Sequence, residues 1–403
     1  MEHPAKARLL ILASTYPRWA GDHEPSFVHE LARRLTDRFD VVAVVPHAKG
    51  ALDNELLDGV RVVRYRYAPE ALETLVNNGG IVTNLQRSRW KILLVPGFVA
   101  MQWVVARRHV SNNAVVHAHW IVPQGLVARL LRKPFLITSH GADLFALRGR
   151  IAMAAKRFSI RKSGCLAVVS EAMREPAREL IPRDNVAVRP MGVDMRDLFK
   201  PDPAVVRDDK HLLFVGRLVE KKGLDVLLLA LPKVLEAHPE VRLTVVGHGP
   251  LESAMVDLAA RIGVADHVTF MGPVPQRDLP ALYRRASLFV APFREARSGD
   301  REGLGLVLVE ALACGCPVVA SDIPSTRDVL YGFPGVRTVS PGDPQPLADA
   351  IIDASEGEHR LSSEVVGARD RLSERFDWDA VAEGYADLLD SVRTGGRVAD
   401  PSR

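Results

Sequence analysis

Short runs of β-branched and other apolar residues recur along this chain with helical stretches between them, and the scheme is played through twice. RLLILAST, DVVAVVP, VRVVRY, AVVHAH, PFLITSHG, CLAVVS and VAVRPMGV mark the first half; HLLFVGRL, VRLTVVGHG, VTFMG, LFVAPF, PVVAS and GVRTV mark the second. Strands that are apolar almost throughout are buried on both faces. Their alternation with helices predicts parallel sheets covered on both sides. A single core stops growing at roughly 250–300 residues, so 403 residues divide into two. The reading is an α/β chain of two Rossmann-like domains in tandem, facing a central cleft.

DMRDLFKPDPAVVRDD has two prolines, scattered charges and no apolar period, which places the boundary near residues 195–208. The domains expected are 1–195 and 196–376. WDAVAEGYADLLDSV predicts a closing helix over 377–391, and RTGGRVADPSR a loose tail over 392–403. Ligands of open α/β sheets bind beyond the carboxyl ends of the strands, which makes the cleft the expected site.

Charge divides by halves. Residues 1–195 carry 28 Lys+Arg against 17 Asp+Glu, and the remainder 25 against 32. Residues 74–142 hold eight Lys/Arg and no acid, a positive face for an anionic partner. Inside it, RSRWKILLVPGFVAMQWVVARRHV brackets an uncharged core, Ile92 to Ala106, of 15 residues with Pro96 and Gly97. That falls short of the ~20 residues needed to span a bilayer. Two readings fit it: a segment lying in the headgroup region of an anionic membrane, or a core helix with solvated basic ends. Three cysteines, Cys165, Cys314 and Cys316, make neither a disulfide framework nor a zinc site, which fits a reducing cytoplasm. The first apolar run reads as a strand, not an export signal.

Four stretches carry chemistry. In DREGLGLVLVEALACG a helix is expected from near Gly303 to Gly315, with Glu302 at its entrance. The amides of Gly303, Leu304 and Gly305 then face an oxygen-rich ligand. Glu310 falls about 80° round that helix from Glu302, so the two carboxylates grip hydroxyls on two parts of one elongated ligand. The spacing alone also fits a capping glutamate and a surface glutamate. In FVGRLVEKKG, Arg217 and Lys222 follow a strand and together suit a diphosphate, one as a fork and one as a mobile point charge; solvated surface cations are the plainer reading. In VVHAHW and ITSHGAD, His119 and His140 read as hydrogen-bonding groups of the cleft and His117 as structural, with a metal site the weaker alternative. In STYPRWAGDHEP, the turn at Gly21 brings amides toward a phosphate or is an ordinary β–α connection.

The elements HAHW, HGAD, VSEAM, MGVD, GRLVEKKG, VVGHGPL, MGPVPQRDLPALY and EGLGLVLVE, in that order along the chain, resemble the retaining family-4 glycosyltransferases of the GT-B fold over nearly the whole chain. The resemblance implies that the first domain binds the acceptor and the second a UDP- or GDP-sugar. It implies sugar transfer with no metal or cofactor required, in cell-envelope polysaccharide or glycolipid synthesis, and the last helix crossing back onto the first domain. Glu302 and the amides of Gly303, Leu304 and Gly305 would hold the donor sugar, and Glu310 the ribose. Arg217 and Lys222 would bind the diphosphate, with His119 beside the reacting carbon and His140 lining the same pocket. Backbone around Val274 would meet the base, and Gly21 would lie near a phosphate. Two positions depart from the family: Asp22 follows Gly21 where a second glycine is common, and Met191 replaces a frequent asparagine. The expected acceptor is a lipid-linked saccharide, reached from the cytoplasmic face of an anionic membrane through residues 74–142; no nucleic acid is expected. The alternatives are a soluble small-molecule acceptor, a sugar-nucleotide epimerase, or a binding protein without chemistry.

Overall fold

The computed structural model describes residues 6–22, 26–76, 80–146, 148–181, 185–330, 332–356 and 363–396. The chain divides into two compact units, Met1–Gly192 with Trp378–Arg403, and Val193–Asp377.

The first unit is built on β1 (Ala7–Leu12), β2 (Phe39–Pro46), β3 (Asn54–Leu57), β4 (Val60–Tyr65), β5 (Ala114–His119), β6 (Phe135–Ser139), β7 (Cys165–Val168) and β8 (Val186–Val188). They form one sheet in the order β3-β4-β2-β1-β5-β6-β7-β8. All neighbours are parallel except β3 and β4. Those two are joined by Asp58 and Gly59, both with positive φ (47° and 81°), the backbone that a two-residue type I′ hairpin demands. The strand pattern missed β3: NELL alternates exposed and half-buried residues at the sheet edge. The central strands are buried without a break, as β5 shows over all six residues.

The helix Val95–His109 buries Phe98, Gln102 and Ala106, four residues apart and so on one face. The 3₁₀ turn before it, Arg89–Leu94, buries none of its residues and leaves Trp90, Ile92 and Leu93 exposed. The core-helix reading therefore holds for Val95–His109, while the turn before it keeps its apolar side chains at the surface. No helix among the described residues is long and apolar enough to cross a membrane.

The second unit carries β9 (Asp208–Val215), β10 (Arg242–Val246), β11 (Val268–Gly272), β12 (Ala286–Ala291), β13 (Val318–Ser321) and β14 (Val336–Val339). The order is β11-β10-β9-β12-β13-β14, every pair parallel. Its crossover helix Leu224–Ala237 is apolar round most of its circumference because it lies between the sheet and the helix Pro344–Glu356.

This unit begins and ends at one place. Val193 bridges to Asp377, and the Met195 amide donates to the Asp377 carboxylate at 3.2 Å. The expected boundary stretch thus lies inside the second unit, anchored by Phe199, which is fully buried with its ring 6.2 Å from that of Tyr283. The closing helix, Trp378–Thr394, belongs to the first unit and runs past residue 391. Tyr385 donates to the Arg189 carbonyl at 2.9 Å, and Arg38 pairs with Asp387 at 2.7 Å and Asp390 at 2.8 Å. A Cβ on Gly192 would meet the Trp378 indole at 2.5 Å, so glycine is what lets the ring lie against the backbone. Of the expected tail, 397–403 lie outside the described residues.

Candidate functional site

Strand order in the second unit reverses at β9, which sends the chain to β10 on one side and to β12 on the other. Such a switch point opens a crevice beyond the strand ends. Two loops meet there, Gly216–Gly223 after β9 and Pro292–Gly305 after β12. Their backbones touch: a Cβ on Gly223, whose φ is +68°, would sit 1.8 Å from the Pro292 carbonyl oxygen. Only glycine combines that conformation with that approach. The Arg294 amide donates to the Lys221 carbonyl at 3.0 Å, and its guanidinium reaches Asp225 at 2.7 Å.

This contact sets Lys222 against Glu302. The ammonium lies 2.9 Å from the Glu302 carboxylate and 4.5 Å from the centre of the Phe293 ring, a cation over an aromatic face. Lys221 pairs alongside with Asp300 at 3.3 Å. Burial alone would raise the Glu302 pKa, but Lys222, Lys221 and the Gly305 amide bring it down to about 2. The group is a permanent acceptor of hydrogen bonds.

The helix does not begin at Gly303. It runs Leu306–Ala313, because Gly305 takes a left-handed φ of 78° and serves as its N-cap. Glu302 is accordingly a loop residue, the 80° relation to Glu310 on a common helix does not hold, and Gly303, Leu304 and Gly305 are buried loop positions. The Gly305 amide is turned onto the Glu302 carboxylate. The anion at this amide is the protein's own.

Glu310 lies on the helix, buried, and accepts from the Tyr283 hydroxyl at 2.9 Å. Burial raises its pKa to about 7 against the hydrogen bonds of Tyr283 and Gln276 and the charge of Lys222. Gln276 opens the 3₁₀ turn two residues after Val274, which is half-buried in the loop beyond β11. The loop expected to meet a base is thus tied by hydrogen bond to the carboxylate expected to meet a ribose. Arg217 stands exposed two residues beyond β9.

The first unit has its own switch point, between β1 and β5. His117 and His119 share a face of β5, their ring centres 4.2 Å apart. His117 bonds Thr138 Oγ1 at 2.8 Å and packs 5.4 Å from the Tyr385 ring. His119 Nδ1 meets His140 Nε2 at 3.0 Å with the rings stacked. The structure buries His119 completely and leaves His140 partly exposed, with Trp120 and Phe27 about it. Burial pushes His117 and His140 down to about 3 and His119 well below its ordinary value, so all three rings are neutral at pH 7. His119 Nε2 is buried with no hydrogen-bond partner among the described residues. Trp120 has a φ of +80°, a strained backbone for a bulky residue, held by its amide on the Thr138 carbonyl at 2.8 Å. Gly21 also has positive φ (77°), but Asp22 beside it is clamped by Arg18 through the backbone amide at 2.9 Å and the guanidinium at 2.8 Å. Among the described residues no group of three or more His, Cys, Asp or Glu side chains is placed to hold a metal ion.

Two family models match in series: Glycosyltransferase Family 4 over residues 26–197 and Glycosyl transferases group 1 over 195–375. Glycogen synthase of Mycobacterium tuberculosis is 30% identical over 98% of this chain and 97% of its own length. The chain belongs to glycosyltransferase family 4. A second family relative, the GDP-mannose-dependent alpha-(1-6)-phosphatidylinositol monomannoside mannosyltransferase of the same organism, is 33% identical over 52% of this chain. The match spans 56% of that protein, little more than half its length. Sucrose-phosphate synthase of Thermosynechococcus elongatus shares the fold, with a TM-score of 0.78 and 20% identity over 97% of this chain and all of that one.

Within this family member, motif reading missed three side chains that hold candidate residues in place, two in the second unit and one in the first. Tyr283 and Gln276 bond Glu310. Asp143, the acid of HGAD, is buried and accepts from Ser139 Oγ at 2.9 Å, the His140 amide at 3.1 Å and the Ile121 amide at 2.7 Å, so it fixes both histidine-bearing loops. All three stand in motifs quoted from the sequence, Asp143 in HGAD and Gln276 and Tyr283 in MGPVPQRDLPALY, but nothing local to Gln276 or Tyr283 says that they reach Glu310.

Proposed function

We propose that this chain is a retaining hexosyl-type glycosyltransferase that moves a sugar from a UDP- or GDP-sugar to an acceptor hydroxyl. The observation that carries the reading is the pair of carboxylates at the second switch point: Glu302, ionised beside Lys222, and Glu310, bonded to Tyr283. Sugar and ribose hydroxyls are donors, and buried carboxylates are the acceptors that select them.

The chemical problem is a leaving group that carries the charge of a diphosphate. Lys222 has three donors and spends one on Glu302; the others, with Arg217, meet the phosphate oxygens. Fixed cations in a partly dry site stabilise the developing charge without reorganising. The bond from the anomeric carbon to the diphosphate oxygen breaks, the acceptor oxygen bonds to that carbon on the same face, and the acceptor proton passes to the departing phosphate. Because lysine and arginine supply the positive charge, the proposal requires no metal ion or cofactor. The neutral histidines of the first unit are proposed to hydrogen-bond sugar hydroxyls. Their buried free valence, His119 Nε2, suits an uncharged partner.

For the acceptor we propose a lipid-linked saccharide, met at an anionic membrane surface through the basic segment 74–142. The exposed Trp90, Ile92 and Leu93 between basic residues support this, as does the family relative whose name specifies a phosphatidylinositol mannoside acceptor. A soluble acceptor is the competing reading. Calorimetric titration with UDP and with GDP, repeated on Glu310→Ala, tests the donor half. One nucleotide binding tightly, and less so in the variant, is the expected result; binding of neither would refute it.

A further inference from the structure

The first unit carries a second concavity on its outer helical layer, where Val95–His109, Gln124–Leu130 and Arg150–Ile160 pack side by side. It has a volume of about 800 Å³ and is lined by Trp103, Arg107, Arg129, Leu130, Arg132 and Phe158. Three guanidinium groups thus border one cavity with no acid among them. The Arg107 guanidinium lies 5.3 Å over the Trp103 ring and that of Arg129 4.4 Å over the Phe158 ring. Each arginine is steered by an aromatic face, not neutralised by a carboxylate.

Among the described residues no ion pair reaches Arg107, Arg129 or Arg132. From Thr74 to Ser170 the sole acidic residue is Asp143, which is buried and fully engaged with the loops beyond β5 and β6. Arg129 Nε and Trp103 Nε1 are buried donors with no hydrogen-bond partner among the described residues. Both belong to residues that line the cavity, and a buried donor without an acceptor is destabilising. Arg132 is held at a φ of +56°, a conformation uncommon outside glycine and asparagine. Complementing the helix C-termini explains cations at Arg107 and Arg129; it explains neither the orphan donors nor Arg132.

Apolar groups rim the same mouth. Leu130 and Phe158 are exposed, and Ile151 and Met101 stand exposed on the helices that form the layer. Three cations lining the cavity and apolar side chains at its edge match a phosphate with a hydrocarbon chain beside it.

We propose that this cavity binds the phosphate of an anionic membrane lipid, with Arg107, Arg129 and Arg132 on the phosphate and Phe158 and Leu130 against the lipid body. The proposal deepens the membrane reading above and rests on it. It makes the contact a defined site, not a diffuse attraction, and it is independent of the nucleotide chemistry.

The test is co-sedimentation of the full chain with vesicles of phosphatidylcholine and phosphatidylglycerol, against Arg129→Gln/Arg132→Gln and against Arg87→Gln/Arg89→Gln, which removes equal charge outside the cavity. Loss of about tenfold or more in vesicle affinity for the cavity variant, well beyond that of the control variant, is expected for losing charge-assisted bonds in a built site. Equal losses in both would overturn the site in favour of general electrostatics. Arg132→Asn, which the left-handed backbone accepts, guards against misfolding and should reproduce part of the loss. Inorganic phosphate forms the second arm: binding of phosphate alone as tight as vesicle binding, with the same arginine dependence, would overturn the lipid assignment. UDP and GDP titrations on the same variants should be unchanged, so that failure here and failure of the nucleotide reading are separately visible.

Discussion

The Lys222 ammonium sits 2.9 Å from the Glu302 carboxylate although the two residues are eighty positions apart and come from different loops. Each holds the other in place. The lysine keeps the acid ionised near a pKa of 2, and the acid keeps the lysine pointed at the switch point.

Glu302→Gln separates sugar from nucleotide. If the carboxylate holds donor-sugar hydroxyls, turnover falls by about 10²-fold or more, the scale of losing one preorganised polar group. Affinity for UDP or GDP, which carry no sugar, should hold or rise, since Lys222 is released to the phosphates. Parallel loss of nucleotide affinity in calorimetry would place Glu302 elsewhere.

Lys222→Ala and Arg217→Ala should each lower turnover by around 10²-fold, and each should weaken nucleotide diphosphate binding more than nucleoside binding. Unchanged turnover in either variant would remove that cation from the mechanism.

Glu310 links the site to pH. Its folded pKa, raised to about 7 from 4.5, means that the folded state disfavours its charge. Stability from this group is complete below pH 4.5 and lost as pH rises through 7. Glu310→Gln should therefore raise the unfolding midpoint at pH 8 and leave it little changed at pH 4, with a gain on the order of 3 kcal/mol at about 1.4 kcal/mol per unit. Nucleotide binding runs the other way, because the ionised carboxylate accepts ribose hydroxyls more strongly. Affinity should climb more steeply between pH 6 and 8 in the native chain than in Glu310→Gln, whose remaining pH dependence reports the ionisation of the ligand's own terminal phosphate. The neutral histidines add no break in that range.

Gly223→Ala puts a methyl 1.8 Å from the Pro292 carbonyl oxygen at a φ of +68°. The two loops must part, and the Lys222–Glu302 pair with them. A fall in thermal midpoint together with a drop in turnover is expected; a variant with native turnover would show that the loop contact does not position the pair.

A chelator should leave initial rates of transfer unaltered, since the positive charge resides in side chains. Rates that collapse with chelator and return with a divalent cation would overturn the metal-free proposal.

The sheets were readable because both faces of their strands are covered, which writes apolar runs such as AVVHAH into the sequence. β3 escaped because an edge strand faces water and NELL has no such run. Lys222 and Glu302 were each legible, but their pairing was not: it depends on Gly223 lying against Pro292, a contact of backbones that no residue type announces. The misplaced helix start has a local cause. EGLGLVLVE keeps its apolar period through Gly305, and the left-handed turn of that glycine appears only in its φ. Tyr283 reaches Glu310 from another helix, across 27 positions.

The order in which the chain is made gives the closing helix a further meaning. Trp378 and Tyr385 fill the core of the first unit, yet a ribosome reaches them only after residues 193–377, roughly 10–40 s of elongation at 5–20 residues per second. Through that interval the earlier-born unit waits with the floor under Gly192 and the wall beside His117 unbuilt, while the later-born unit already has both its ends. A nascent chain stalled before Trp378 should then resist protease from Val193 onward and be cut within the first 192 residues, so that birth order and order of completion are reversed.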